Sequence, residues 1–123
     1  MSLAQRMMSA GLSAVQVAAI QGTVANNLSA AGTTQGNAAP LLADQNRVTT
    51  VGSGAGVILP PMNPGDEMAV INAQATNALL LYPPVGGVIN ALSANAGYSI
   101  AVATPFATVL CITPTQYHAY QSA

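Results

Sequence analysis

Residues 65–84, GDEMAVINAQATNALLLYPP, decide the fold class that this sequence predicts. Two apolar runs, at 68–71 and 78–82, are separated by a short polar connector. Runs of this kind bounded by Gly, Pro and Asn are typical of β-strands. The Pro-Gly pair at 64–65 suits a turn, and the Pro-Pro pair at 83–84 ends a strand. The stretch therefore predicts two strands joined as a hairpin at the centre of an all-β domain.

Further strand-like runs, rich in β-branched and aromatic residues, lie on both sides of this stretch and are separated by turn signals. The run at 107–112 is continuously apolar, which predicts burial on both faces. We therefore expect a mainly β fold of about eight short strands in residues 46–123, an antiparallel β-sandwich or a jelly-roll-like barrel. The strands predicted outside the hairpin are 47–51, 57–59, 88–90, 98–102, 107–112 and 116–120.

The N-terminal part differs from the rest, because apolar residues there follow a helical spacing and residues 1–21 contain no Pro. We predict an N-terminal arm at residues 1–25, mainly helical, although residues 14–18 also alternate like a strand. The arm has only Arg6 as a charged residue, so its apolar side is expected to pack on its own sheet or on a neighbouring subunit. Residues 26–45 predict an extended linker with one short strand near 34–38. The predicted partner-binding residues are Leu3, Met7, Met8, Leu12 and Val15.

The composition is unusual for a soluble domain. Of 123 residues, 51% are hydrophobic and only 4% are charged, whereas an average domain has roughly 25% charged residues. So little charge protects a monomer poorly against association, and we therefore expect much of the surface to be covered by other subunits. The alternative is a small Ala-rich domain whose hydroxyl and amide groups keep it soluble. The net charge of -1 argues against nucleic-acid and anionic-membrane partners.

The sequence shows no pattern typical of catalysis, of a cofactor or of a metal site. The glycines at 52–56 lack the third glycine of a dinucleotide loop, and the absence of Lys excludes a Walker A loop. Asp66 and Glu67 are adjacent, so in a strand they point to opposite faces. His118 and Cys111 have no nearby partner that would activate them, and Cys111 is expected to be a buried, inert thiol. We therefore expect no enzymatic activity, cofactor or metal.

One internal repeat stands out. Val-Ile-Asn-Ala occurs at 70–73 and again at 88–91, and each copy is followed by an Asn-Ala pair, at 77–78 and 95–96. Asn is suited to left-handed turn positions, so the two copies predict similar strand–turn units. Chance similarity in an Ala- and Asn-rich chain is the alternative. Two copies fall short of the three that a repeat architecture needs.

Eight short blocks stand in order from about residue 26 to the end of the chain. They are NNLSAAGTTQ (26–35), NRVTTV (46–51), GVILP (56–60), PGDE (64–67), VINA (70–73), YPP (82–84), GVIN (87–90) and QYHA (116–119). In this order the blocks resemble a domain of small virion proteins of tailed bacteriophages, the head decoration or cement proteins.

The resemblance implies a structural protein on the capsid exterior of a virion, made in the host cytoplasm. It implies a β-sandwich or jelly roll that self-associates, with a homotrimer favoured and a dimer as the alternative, and that binds the major capsid protein. The family defines no catalytic motif, so the resemblance implies no active-site residue. A carbohydrate- or receptor-binding module of a head or tail fibre is the alternative function.

Overall fold

The computed structural model describes residues 2–16 and 22–122, and this part of the chain is mainly β, with ten strands in two sheets. A short helix, α1 (Leu3–Ser9), precedes the strands, and a 3-10 turn (Gln35–Asn37) lies between the first two. The strands are β1 (Val24–Ser29), β2 (Ala39–Pro40), β3 (Gln45–Thr50), β4 (Gly56–Ile58), β5 (Glu67–Asn72), β6 (Leu79–Tyr82), β7 (Val88–Ile89), β8 (Tyr98–Ile100), β9 (Phe106–Thr113) and β10 (Gln116–Gln121).

The eight predicted strands correspond to β3 to β10, and the structure adds β1 and β2. β1 begins at Val24, so the sheet starts within the segments predicted as arm (1–25) and linker (26–45). The short strand expected near 34–38 is a 3-10 turn, and β2 follows it at Ala39–Pro40. The boundary predicted at residue 46 therefore lies inside the β structure, because the segment before it supplies β1 and β2, which pair with β3 and β4.

The predicted hairpin is wrong, because β5 and β6 lie in different sheets. The connector between them crosses from one sheet to the other, and Asn72 fixes this crossing. Its buried side-chain Nδ2 donates to the carbonyl oxygens of Ile100 and Ala101 at 3.2 and 3.0 Å, and its Oδ1 accepts from the Gln74 amide at 3.1 Å. The chain therefore leaves the plane of β5 instead of turning back beside it.

The first six strands alternate between the two sheets and wind as a short β-solenoid of three coils. Ala39 pairs with Val57 and Gln45 pairs with Ala69, so one coil takes between 18 and 24 residues. Parallel strands need a crossover of a dozen or more residues. The strand in the opposite sheet supplies that crossover here, so the parallel pairs form without a covering helix.

The last four strands follow the wound part, and two of them pair with its final strands, β5 and β6. β8 runs antiparallel to β6 in the four-stranded sheet, and β9 runs antiparallel to β5 in the six-stranded sheet. β10 then pairs antiparallel with β9 and parallel with β7. The expected antiparallel pairing is therefore found for three strand pairs and is wrong for five among the described strands. Four of these five are the pairs among β1 to β6, and the fifth is β7–β10.

The two sheets share one hydrophobic core. Leu79 and Leu81 are fully buried, and burying such a side chain contributes about 1.5–3 kcal/mol. β9 alternates, with Val109 and Cys111 inward, Leu110 half-buried and Ile112 exposed. The burial predicted for both faces of 107–112 is therefore wrong. The buried core residues are Leu41, Val48, Val51, Ala55, Val57, Leu59, Met62, Met68, Val70, Leu79, Leu81, Ile89, Ile100, Ala107, Val109, Cys111, Tyr117 and Ala119.

Candidate interaction surface

The arm, residues 2–16 of the described chain, carries the predicted partner-binding residues. The helix α1 starts with a capping box, in which the Gln5 amide donates to Ser2 Oγ at 3.1 Å and the Ser2 amide donates to Gln5 Oε1 at 2.9 Å. No residue of α1 is buried. Leu3 and Met8 are each 49% exposed. The helix is thus held by its own hydrogen bonds, and its apolar side chains are exposed or half-buried.

The single long helix predicted for the arm is interrupted at Gly11. Gly11 has a φ of +106°, which a residue with a side chain rarely adopts, and α1 ends before it. Ser13 and Gln16 form a second capping box, with the Ser13 amide donating to Gln16 Oε1 at 2.8 Å, and residues 14–16 are helical. The rest of the predicted helix, residues 17–21, lies outside the described residues.

The five predicted residues do not share one continuous helical face, because of this break. Leu3, Met7 and Met8 lie on α1, whereas Leu12 and Val15 lie beyond Gly11. Met7 and Leu12 are half-buried, and Val15 is 80% exposed. The arm therefore presents two adjoining apolar segments, and within one copy none of the five side chains is fully covered.

A second apolar surface lies on the outward side of the six-stranded sheet. Val24 is 70% exposed, Phe106 46% and Tyr120 69%, so no described part of the chain covers this side. Ile71 pairs directly with Phe106, and Thr108 pairs with both Ala69 and Tyr120, which brings the apolar side chains into adjacent rows. We call this surface the open face; it consists of Val24, Ile71, Phe106, Leu110, Ile112 and Tyr120.

Two shallow grooves run along the open face. One, of about 310 Å³, lies between Val24, Arg47 and Ile71. The other, of about 220 Å³, lies between Glu67, Phe106 and Thr108. Apolar side chains lie beside a cation in the first groove and beside an anion in the second, so the face can bind an amphipathic partner.

The charged side chains around the open face differ in how they are held. Asp44 Oδ2 accepts hydrogen bonds from the amide and the hydroxyl of Thr23, at 2.8 and 3.1 Å. Arg47 Nη1 donates to Asn26 Oδ1 at 3.1 Å, so Asp44 and Arg47 each have another partner. The side-chain carboxylate of Glu67, at the start of β5, accepts no hydrogen bond from the residues that the structure describes. Its carboxylate is therefore available to a cation from outside the chain.

The three acids of the chain line one neighbouring groove of about 490 Å³, between the start of β5 and the loop at 60–66. Asp66 Oδ2 accepts from the Asn63 amide at 2.9 Å and so completes the turn of the Pro-Gly-Asp-Glu block. Across residues 2–16 and 22–122, no three His, Cys, Asp or Glu side chains are arranged to hold a metal ion.

The tyrosines differ in their surroundings. Tyr82 and Tyr117 are buried, and the Tyr117 hydroxyl donates to the Pro114 carbonyl at 2.8 Å. The Tyr98 hydroxyl accepts from Gln121 Nε2 at 3.3 Å. Tyr120 is the tyrosine whose ring stands exposed, and it belongs to the open face. Sequence reasoning did not locate this face, although the surplus of apolar residues at 107–112 was a signal for it.

Comparisons of the chain with protein-family models, with curated proteins and with solved structures found no match. No helix within the described residues is both long enough and apolar enough to span a bilayer. Function is therefore inferred from the geometry of the arm and the open face and from the sequence blocks.

Proposed function

We propose that this protein is a decoration, or cement, protein of a tailed-bacteriophage capsid. It binds the shell of major capsid protein from the outside and stabilises it through self-association and through contacts of the arm and loops. A homotrimer is the favoured assembly and a dimer is the alternative. The observation that carries the proposal is an arm whose apolar side chains are uncovered, joined to a β domain with very few charged groups.

The positions of the resembling blocks support the proposal. PGDE forms the turn closed by Asp66, VINA ends β5 at the crossing, and YPP ends β6. These blocks thus occupy the joints of one two-sheet framework, which we interpret as a β-sandwich whose first six strands are wound in parallel. A protein of this kind acts by binding and needs no catalysis, because several weak contacts in one oligomer add up to a high avidity.

The test is binding to capsids that lack the protein. Deleting residues 1–21 removes the arm, and we expect loss of capsid binding while the far-ultraviolet circular dichroism of the sheets is retained. The Leu3→Ser, Met8→Ser, Val15→Ser triple variant keeps the full chain and should weaken binding strongly. Val85→Ser, at an exposed apolar residue in a loop distant in sequence from the arm, is the matched control.

Normal coating of capsids by the arm-deleted protein would overturn this role of the arm. The same samples, imaged by electron microscopy, decide between the two locations, since a decoration protein labels the capsid lattice and a fibre module labels the tail. A glycan-binding screen covers the carbohydrate alternative, for which the exposed aromatic pair Phe106 and Tyr120 is the relevant surface.

A further inference from the structure

Two apolar surfaces of this chain, the arm and the open face, are both uncovered within one copy. We propose that the arm of one copy docks on the open face of a second copy, with Arg6 of the arm placed against Glu67 of the face. The inference rests on the docking role of the arm in the proposed function, but it does not require a capsid. It names the partner as a second copy of this chain and the docking site as the face of the six-stranded sheet.

The dimensions of the two surfaces match. α1 has 7 residues, which at about 1.5 Å per residue gives a helix about 10 Å long. Strands β5, β9 and β10 are neighbours in the sheet, and at about 4.8 Å per spacing their outward side is also about 10 Å wide. One copy of α1 can therefore cross all three strands and cover Phe106, Leu110 and Tyr120.

The charges of the two surfaces are complementary. Arg6 follows Leu3 by three residues, so on α1 it flanks the same side as Leu3 and Met7. Glu67 lies on the outward side of β5 and pairs in register with Leu110, so it borders the apolar rows of the face. The chain has two arginines, no lysine and one histidine, His118, which also lies on this face opposite Leu110. Since Arg47 already donates to Asn26, Arg6 is the arginine left for Glu67.

The contact forms between copies rather than within one. The arm joins the six-stranded sheet at β1, an edge strand, yet within a single copy Leu3, Phe106 and Tyr120 all remain exposed. Reciprocal exchange of arms gives a closed dimer, and successive docking around an axis gives a closed ring. Either assembly buries the apolar surface that a lone copy with so little charge leaves in water.

The experiment measures association of the purified full-length protein by sedimentation velocity over a range of concentrations. Arg6→Glu and Glu67→Arg each place like charges opposite one another, so each should weaken self-association about tenfold or more. An equimolar mixture of the two variant proteins should restore association. In the mixture, the acidic arm of the first variant meets the basic face of the second, while the arm of the second and the face of the first keep their original charges. Phe106→Ser should also weaken association, whereas Val85→Ser should not.

The mixture separates docking between copies from docking within one, since an arm folded back on its own face gains nothing from mixing. A monomeric unmodified protein, or single variants that associate normally, would overturn the inference. A mixture of the two variants that associates as weakly as each variant alone would also overturn it.

If capsid binding is lost on arm deletion while the free protein is monomeric throughout, this inference fails and the proposed function stands. If the charge variants behave as expected but the protein binds no capsid, the inference stands and the proposed function fails. Circular dichroism of each variant checks folding, which is expected because both residues are exposed.

Discussion

The two halves of the β domain use similar strands and pair them in different ways. From β1 to β6 successive strands alternate between the two sheets, and each of β3 to β6 pairs in parallel with the strand two places earlier. From β8 to β10 every strand has an antiparallel partner, whereas β7 pairs in parallel with β10. β9 and β10 turn directly into each other at Pro114–Thr115. In that turn Thr113 Oγ1 accepts from the Gln116 amide at 3.0 Å. Strand propensity alone therefore does not set the pairing direction.

The repeated Val-Ile-Asn-Ala sequence has a different role in each half. In the first copy Asn72 is fully buried, has an ordinary backbone conformation and ties the end of β5 to the end of β8. In the second copy Asn90 has a φ of +54°, and its side-chain amide bonds the backbone of Ala119 as a neighbouring strand would. Its Nδ2 donates to the Ala119 carbonyl at 3.0 Å and its Oδ1 accepts from the Ala119 amide at 2.9 Å. One motif thus ends a parallel coil in one half and extends the β7–β10 pair in the other.

The largest loss of stability should follow Asn72→Ala. The substitution leaves buried carbonyl oxygens near Asn72 without their donor, and each unsatisfied buried group costs roughly 1–3 kcal/mol. We expect the free energy of unfolding, measured by urea denaturation, to fall by about 3 kcal/mol. Asn63→Ala is the control at an exposed turn position, where surface substitutions change stability by about 0.5 kcal/mol or less. Equal losses for both variants would show that the crossing does not depend on Asn72.

A smaller loss should follow Asn90→Ala, because two effects of moderate size combine there. The variant loses both hydrogen bonds to Ala119, and it places Ala, which tolerates a left-handed conformation less well than Asn, at a position with positive φ. We expect a total loss of about 2 kcal/mol. Asn90→Gly removes the same hydrogen bonds but tolerates the positive φ, so it should lose about 1 kcal/mol less. If Gly and Ala destabilise equally in urea denaturation, the backbone conformation at this position carries no strain.

The positions of the strands could be predicted from the sequence, and their partners could not. The apolar run at 68–71 and the β-branched run at 47–51 predict strands, in which side chains alternate between two faces, and β5 and β3 lie there. A two-residue period contains no information on direction, however. The direction at β5 depends on a hydrogen bond from Asn72 to Ile100, 28 residues later. Turn residues near 65 and 83 therefore look the same for a hairpin and for a crossing between sheets.

The arm and the open face also differ in how far the sequence predicts them. The apolar residues of the arm were visible as a helical spacing, because Leu3, Met7 and Met8 lie within one short element. The open face is assembled from four strands, of which only β9 and β10 are consecutive, so no local pattern outlines it. The apolar run at 107–112 was interpreted as burial on both sides, and Ile112 in fact faces outward. An apolar run reports that a surface avoids water and does not say whether this chain or another copy covers it.

The smallest effect should come from alkaline pH. It should arise at the antiparallel pair of β9 and β10, where Cys111 and Tyr117 lie opposite each other. Burial is the main cause that raises the pKa of the Cys111 thiol above its ordinary 9.0, and the charge of Asp66 adds to it. Burial likewise raises the pKa of Tyr117 above 10.0.

The unfolded chain thus loses these protons at a lower pH than the folded protein does. The stabilisation is full below about pH 9 and is lost as the pH rises through the folded values. We expect the free energy of unfolding to fall with pH in the alkaline range, and Cys111→Ala should reduce that slope, whereas Tyr120→Phe, at an exposed ring on the same strand as Tyr117, should not change it. If Cys111→Ala leaves the pH dependence of the unfolding free energy unchanged, alkaline destabilisation starts outside the β9–β10 pair.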